Sequence, residues 1–90
     1  MRIHEVHISE RIAEKIQAEH DVLPEEAEEV LFSHPVIRRA RDGRYLAIGL
    51  VNRYLTVIFE FEKGAAEIVT AYTSSDWQIR LYKRSKRSRR

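Results

Sequence analysis

At 90 residues and 43% hydrophobic, the chain suits a single folded domain and is too small for a cofactor domain or a second active unit. It has no cysteine, which excludes disulfides and thiolate-metal sites, and no apolar run reaches the length of a membrane span. The net charge of +2 conceals a segregation: Glu10–Glu29 holds eight acids against Arg11 and Lys15, while Arg80–Arg90 holds seven bases and no acid.

In chain order, Arg2–Ile8 is short and alternating, and is expected to be extended and to pair with a sheet edge. Ser9 is a favourable N-cap for a first helix whose apolar stripe is Ile8, Ile12 and Ile16. That helix runs out around His20-Asp21. Pro24 suits the first turn of a second helix, and Glu25 and Glu26 follow where the helix dipole favours acids. Leu23, Ala27, Val30 and Leu31 form its expected buried stripe, and Pro35 stops it.

The remainder reads as a sheet. Val36–Arg41 is a first strand, and Asp42-Gly43 is a strong hairpin signal. The next strand lies within Arg44–Val51, with Leu46, Ile48 and Leu50 alternating. After a turn at Asn52-Arg53, Leu55, Val57, Phe59 and Phe61 alternate along Tyr54–Glu62. A turn at Lys63-Gly64 leads to a fourth strand within Glu67–Thr73. Ser74 or Ser75 then caps a short helix with Trp77 and Leu81 on its inner side. The expected fold class is α+β, with two N-terminal helices covering the apolar face of a four-stranded, mainly antiparallel sheet. A short C-terminal helix with a basic tail over residues 83–90 follows.

The charge pattern points to a polyanion. Arg38, Arg39, Arg41, Arg44 and Arg53 are offset by only one nearby acid, Asp42, and the acidic helices repel what the C-terminal segment attracts. Arg80, Lys83, Arg84 and Arg87 recur at three- and four-residue steps and share a face if the last helix extends that far. Such a stripe contacts phosphates without reading sequence, and would equally meet an acidic protein segment. Arg41 and Arg53 are further RNA-binding candidates.

Several segments together resemble a known family: Glu25-Glu26-Ala27-Glu28-Glu29-Val30-Leu31, Gly43-Arg44-Tyr45-Leu46-Ala47-Ile48-Gly49, Arg53-Tyr54-Leu55-Thr56-Val57-Ile58-Phe59, Ile68-Val69-Thr70-Ala71 and Arg80-Leu81-Tyr82. In these the chain is similar to the BrnT family of type II toxins, within the RelE/ParE-like superfamily of small α+β toxins. The resemblance runs from about His20 to Tyr82. It implies one toxin domain over residues 1–90, acting as an mRNA interferase-like endoribonuclease and neutralised by a separate, cognate antitoxin. The family's Lys-His-Gly-Val segment reads Glu19-His20-Asp21-Val22 here, so His20 and Arg44 match. Tyr72 stands where the family usually has Arg, and Glu67 where it tends to be basic. These departures favour the alternative of a non-catalytic RNA- or ribosome-binding domain of the same fold.

Metal-independent RNA cleavage needs a base for the 2′-hydroxyl, an acid for the leaving 5′-oxygen, and fixed cations at the phosphate. Arg44 offers a planar two-pronged phosphate contact, or else pairs across the sheet with Glu60 or Glu62. His20 is a candidate base or acid, or else a helix-end histidine held by the dipole. Tyr72 would bond the phosphate or stack on a base, or else pack in its strand. Tyr82 near the C-terminus is a fourth catalytic candidate, or a core-edge residue beside Leu81. His4, His7, His20 and His34 lack ligand spacing, and no Gly-rich phosphate loop is present, so no metal and no cofactor are expected. The N-terminus lacks the apolar core of a signal peptide. The expected setting is cytoplasmic, with RNA, free or as ribosome-bound mRNA, and a cognate antitoxin as partners and no membrane.

Overall fold

The computed structural model describes residues 1–87. Strand β1 (Glu5–His7) leads into helices α1 (Glu10–His20) and α2 (Pro24–Leu31). Strands β2 (Val36–Arg39), β3 (Tyr45–Leu50), β4 (Tyr54–Glu62) and β5 (Ala65–Thr73) follow, and helix α3 (Asp76–Arg87) ends the described chain. The class is α+β as expected. The sheet has five strands rather than four, in the order β1-β5-β4-β3-β2. It is mixed, because β1 pairs parallel with β5 while every other pair is antiparallel. The N-terminal segment supplies the fifth strand: the backbone N–H groups of His4 and Glu5 donate to the Gly64 carbonyl and bring β1 alongside β5.

Local signals set the element ends. The Ser9 hydroxyl accepts from the Ile12 N–H at 3.2 Å and caps α1. Asp21 takes a left-handed conformation (φ 55°) at the other end; its N–H donates to the Gln17 carbonyl in a left-handed stop, and the Val22 N–H reaches back to the Ile16 carbonyl with Val22 buried. In α2, Pro24 occupies the first turn and the Glu26 carboxylate accepts from the Leu23 N–H at 3.0 Å. Leu23 is consequently a cap residue exposed to solvent, not part of the buried stripe. Lys63 and Gly64 both have positive φ, as a two-residue hairpin requires. Asp42 and Gly43 do likewise inside a single 3-10 turn, which ends β2 at Arg39 instead of Arg41.

The register separates two apolar sets that the alternation alone had placed together. Ala47 lies opposite Val57, whereas Ile48 lies opposite Thr56. Leu46, Ile48 and Leu50 therefore project from one face of the sheet, and Leu55, Val57 and Phe59 from the other. The latter face meets Ile12, Ile16, Val22, Ala27, Val30 and Leu31 of the helical hairpin in the main core. Helix α2 approaches β3 closely at Gly49, where an added Cβ would stand 3.0 Å from Val30 and from Ser33 Oγ. The opposite face, with Ile48 and Val36 buried on it, is covered by α3, which packs on β2 and β3. The sheet thus lies between an acidic helical pair and a basic helix.

Candidate nucleic-acid interface and its polar anchor

Helix α3 sits on the sheet by way of one polar cluster. Thr56 is enclosed between Leu55 and Val57 with 0% exposure, and faces Gln78, which is 2% exposed. The Thr56 hydroxyl and the Ser75 N–H both donate to Gln78 Oε1 at 2.9 Å. Gln78 Nε2 in turn donates to the Tyr72 hydroxyl at 3.0 Å, and the Thr56 and Ser74 hydroxyls are 2.7 Å apart. Every buried side-chain nitrogen and oxygen among the described residues has a partner. A buried amide that satisfies both its ends in this way fixes the rotation of its helix.

That rotation corrects the inner face expected for α3. Gln78, Tyr82 and Ser85 point inward, while Trp77 is 54% exposed. The expected stripe was off by one residue, about 100° around the helix axis. Gln78→Ala removes the amide partner of the Thr56 hydroxyl, the Ser75 N–H and the Tyr72 hydroxyl together, leaving Thr56 only its contact with Ser74. The expected loss is about 2–3 kcal/mol, read as a lowered urea midpoint, with amide exchange accelerating first in α3.

The rest of α3 is fixed from the flank. Tyr82 stands edge-on to Tyr54 with ring centroids 5.6 Å apart. Lys83 Nζ lies over the Tyr54 ring and Lys86 Nζ over the Tyr82 ring, at 5.9 and 5.5 Å. Arg38 Nη2 donates to Ser85 Oγ, and Lys86 Nζ donates to the His34 carbonyl. These contacts carry the helix through Lys83–Arg87, residues expected to form a tail. The remainder of that expected tail, residues 88–90, lies outside the described residues. Arg80, Lys83, Arg84 and Arg87 are exposed and line one shallow concavity on the outer side of α3. The condition set by their spacing, a helix reaching Arg87, is met.

The other candidates divide between two ends of the sheet. His20, at the last turn of α1, has its ring 6.0 Å from that of Tyr72, which the Gln78 bond ties to the α3 end of the network. Arg53 shares this corner: its Nη2 donates to the carbonyl of Asp21, the residue after His20, at 2.6 Å, and to Glu26 Oε1 at 2.9 Å. Arg44 lies elsewhere. Its Nε is 3.3 Å from Glu60 Oε2, the cross-strand pairing that the sequence offered as the alternative to a phosphate contact. Glu60 is four residues along β4 from Thr56, the strand partner of Tyr72, which separates the two places by about 13 Å. Arg41 is exposed in the β2–β3 turn. Thr56 and Gln78 escaped the sequence reading, which had Ser74 only as a candidate helix cap; a threonine enclosed in an apolar strand, with a glutamine three residues past a serine, was their only signal.

Glu26 has a perturbed carboxyl. The hydrogen bond from the Leu23 N–H and then that from Arg53 hold it below the ordinary value of 4.5. Its folded pKa is thus lower than its unfolded one, so the stabilisation is complete above the unfolded value and is lost as pH falls through the folded one. Glu26→Gln should lower the urea midpoint at neutral pH and narrow its difference from the unsubstituted protein as the solution is acidified. A constant difference at every pH would show that the carboxylate charge has no part in it.

Among the described residues no three His, Asp or Glu side chains gather as a metal-ion group, and no helix is long and apolar enough to cross a membrane. No family model matches the chain, and no curated protein matches it in sequence. Among solved structures, the chain is similar to the Brucella abortus ribonuclease toxin BrnT, at a TM-score of 0.65 and 20% identity, covering 80% of this chain and 97% of that one. The chain has a BrnT-like fold. That likeness concerns the arrangement of helices and strands; within the BrnT-like fold, the basic face, the Gln78 anchor and the His20–Tyr72 corner are features of this chain's own residues.

Proposed function

We propose that this protein is a ribonuclease toxin of the BrnT type, in the RelE/ParE-like superfamily, forming one domain and acting on RNA in the cytoplasm. The observation that carries the reading is a BrnT-like fold whose exposed α3 face presents Arg80, Lys83, Arg84 and Arg87 together, on the side of the sheet away from the acidic helices. RNA lies along α3, held through its phosphates. His20 and Tyr72 supply proton transfer at the corner where α1 and β5 meet. Tyr72 accepts from Gln78 and keeps its own hydroxyl proton for a substrate oxygen. Arg53 is the cation assigned to that corner, and Arg80 belongs to the α3 stripe that holds the strand. Arg41 and Arg44 guide the strand at the β2–β3 turn, and Tyr82, packed on Tyr54, holds α3 in place. A separate antitoxin restrains the enzyme by covering the basic face.

Inducible expression tests the reading: growth should stop and cellular RNA should be cut, and co-expression of the antitoxin should reverse both. A second reading, an RNA- or ribosome-binding module without chemistry, is favoured by the engagement of Arg44 with Glu60 and by Tyr72 following Thr70-Ala71. Purified protein that binds RNA but leaves it intact, with and without ribosomes, would decide for that module.

A further inference from the structure

We infer that Trp77 is a base-stacking residue that makes the α3 face selective for single-stranded over double-stranded RNA. The inference deepens the proposed function and rests on it. Trp77 is among the most exposed large apolar side chains of the protein, although the polar anchor that buries Gln78 sits immediately beside it in the chain. With one residue per 100° of helix, Trp77 falls about 60° from Arg80 and about 20° from Arg84. All three project from the outer side of α3. From Trp77 to Arg87 the helix rises about 15 Å, with exposed cations at Arg80, Lys83, Arg84 and Arg87 along the way.

A flat aromatic at one end of a track of cations is the arrangement by which proteins hold unpaired nucleotides. The cations take the phosphates, and the ring takes a base that is free of its neighbours. A duplex keeps its bases stacked inside and offers the ring nothing, so cations alone would bind both forms while the tryptophan separates them. Asp76 next to it keeps phosphate away from that end and leaves the ring to a base. The positive stripe fits an acidic peptide as well, but an acidic side chain has no flat face for the indole.

The chain contains one tryptophan, so its intrinsic fluorescence reports on this position alone. Titration with a uridine oligonucleotide should quench it saturably, and an RNA duplex of equal length should bind with little quenching. Trp77→Ala should weaken single-strand binding by about tenfold, the usual loss of one stacked base, with duplex affinity unchanged. Trp77→Phe should recover most of it. Because the side chain is exposed, both variants are expected to fold, and circular dichroism checks this. Single-strand affinity that is equal in the unsubstituted protein and Trp77→Ala would overturn the inference while leaving RNA binding in place. Quenching by polyglutamate stronger than by RNA would overturn it too, and assign the face to a protein partner. No gel shift with either RNA form would overturn the proposed function itself, and this inference with it.

Discussion

Replacing His20 by alanine is expected to lower the rate of RNA cleavage by about a hundredfold or more, the range lost when a positioned acid or base is removed. His20 is the titratable group of the candidate set that stands against Tyr72, with the rings 6.0 Å apart, and Tyr72 is itself oriented by the buried Gln78. In the proposed reaction an imidazole working as base must be neutral, so the unsubstituted protein should lose activity toward acid pH, and that limb should vanish in His20→Ala. Tyr72→Phe keeps the ring and removes the hydroxyl, and should cost about tenfold or more if the hydroxyl bonds the reacting phosphate. Arg44→Ala should cost less than either, because its guanidinium already faces Glu60 and lies about 13 Å along the sheet. A hundredfold loss from Arg44→Ala with His20→Ala near normal would move the reaction centre to the Arg44 end, where the sequence motif alone had put phosphate stabilisation.

Binding is expected to be steeply dependent on salt. If Arg80, Lys83, Arg84 and Arg87 neutralise four phosphates of a single strand, log K should fall against log salt with a slope of roughly −3. That slope corresponds to about a fiftyfold loss of affinity over a fourfold rise in salt. Changing all four to glutamine should flatten the slope toward zero while leaving Gln78, Lys86 and Arg38 to hold the helix. Truncation after Tyr82 is a poorer test, since it also removes the Ser85 and Lys86 contacts that fix α3 on β2. An unchanged slope in the glutamine variant would mean that RNA lies on another surface.

Much of the fold was legible because its signals are local. Ser9, Pro24, Lys63-Gly64 and the Val57/Phe59 alternation each act within a few residues, and each produced the element expected. Facing was harder. Which side of the sheet Leu46, Ile48 and Leu50 occupy depends on a cross-strand register, and a shift of one residue reverses it. The edge pairing expected of Arg2–Ile8 is realised in Glu5–His7, but its partner β5, sixty residues away, and its parallel sense are long-range and could not be read locally. The candidate residues were found by type and spacing, but their division into two places was not. His20 and Tyr72 are 52 positions apart in sequence, and only the packing of α1 on β5 unites them. Trp77 misled because indole is usually buried, and here a buried glutamine with three hydrogen-bond partners claimed the inner face.

The placement of acidic α1 and α2 on one side of the sheet and basic α3 on the other has a consequence for handling the protein in solution. A molecule with a net charge of only +2 should be retained on both cation- and anion-exchange resins at low ionic strength, each resin taking the opposite side. Copies can also stack, the α3 side of one on the hairpin side of the next. That contact is heterologous and does not close on itself, so it grows into open chains and not into a dimer. Moderate salt screens such contacts and should return the protein to monomers, and light scattering across a salt series would follow the transition.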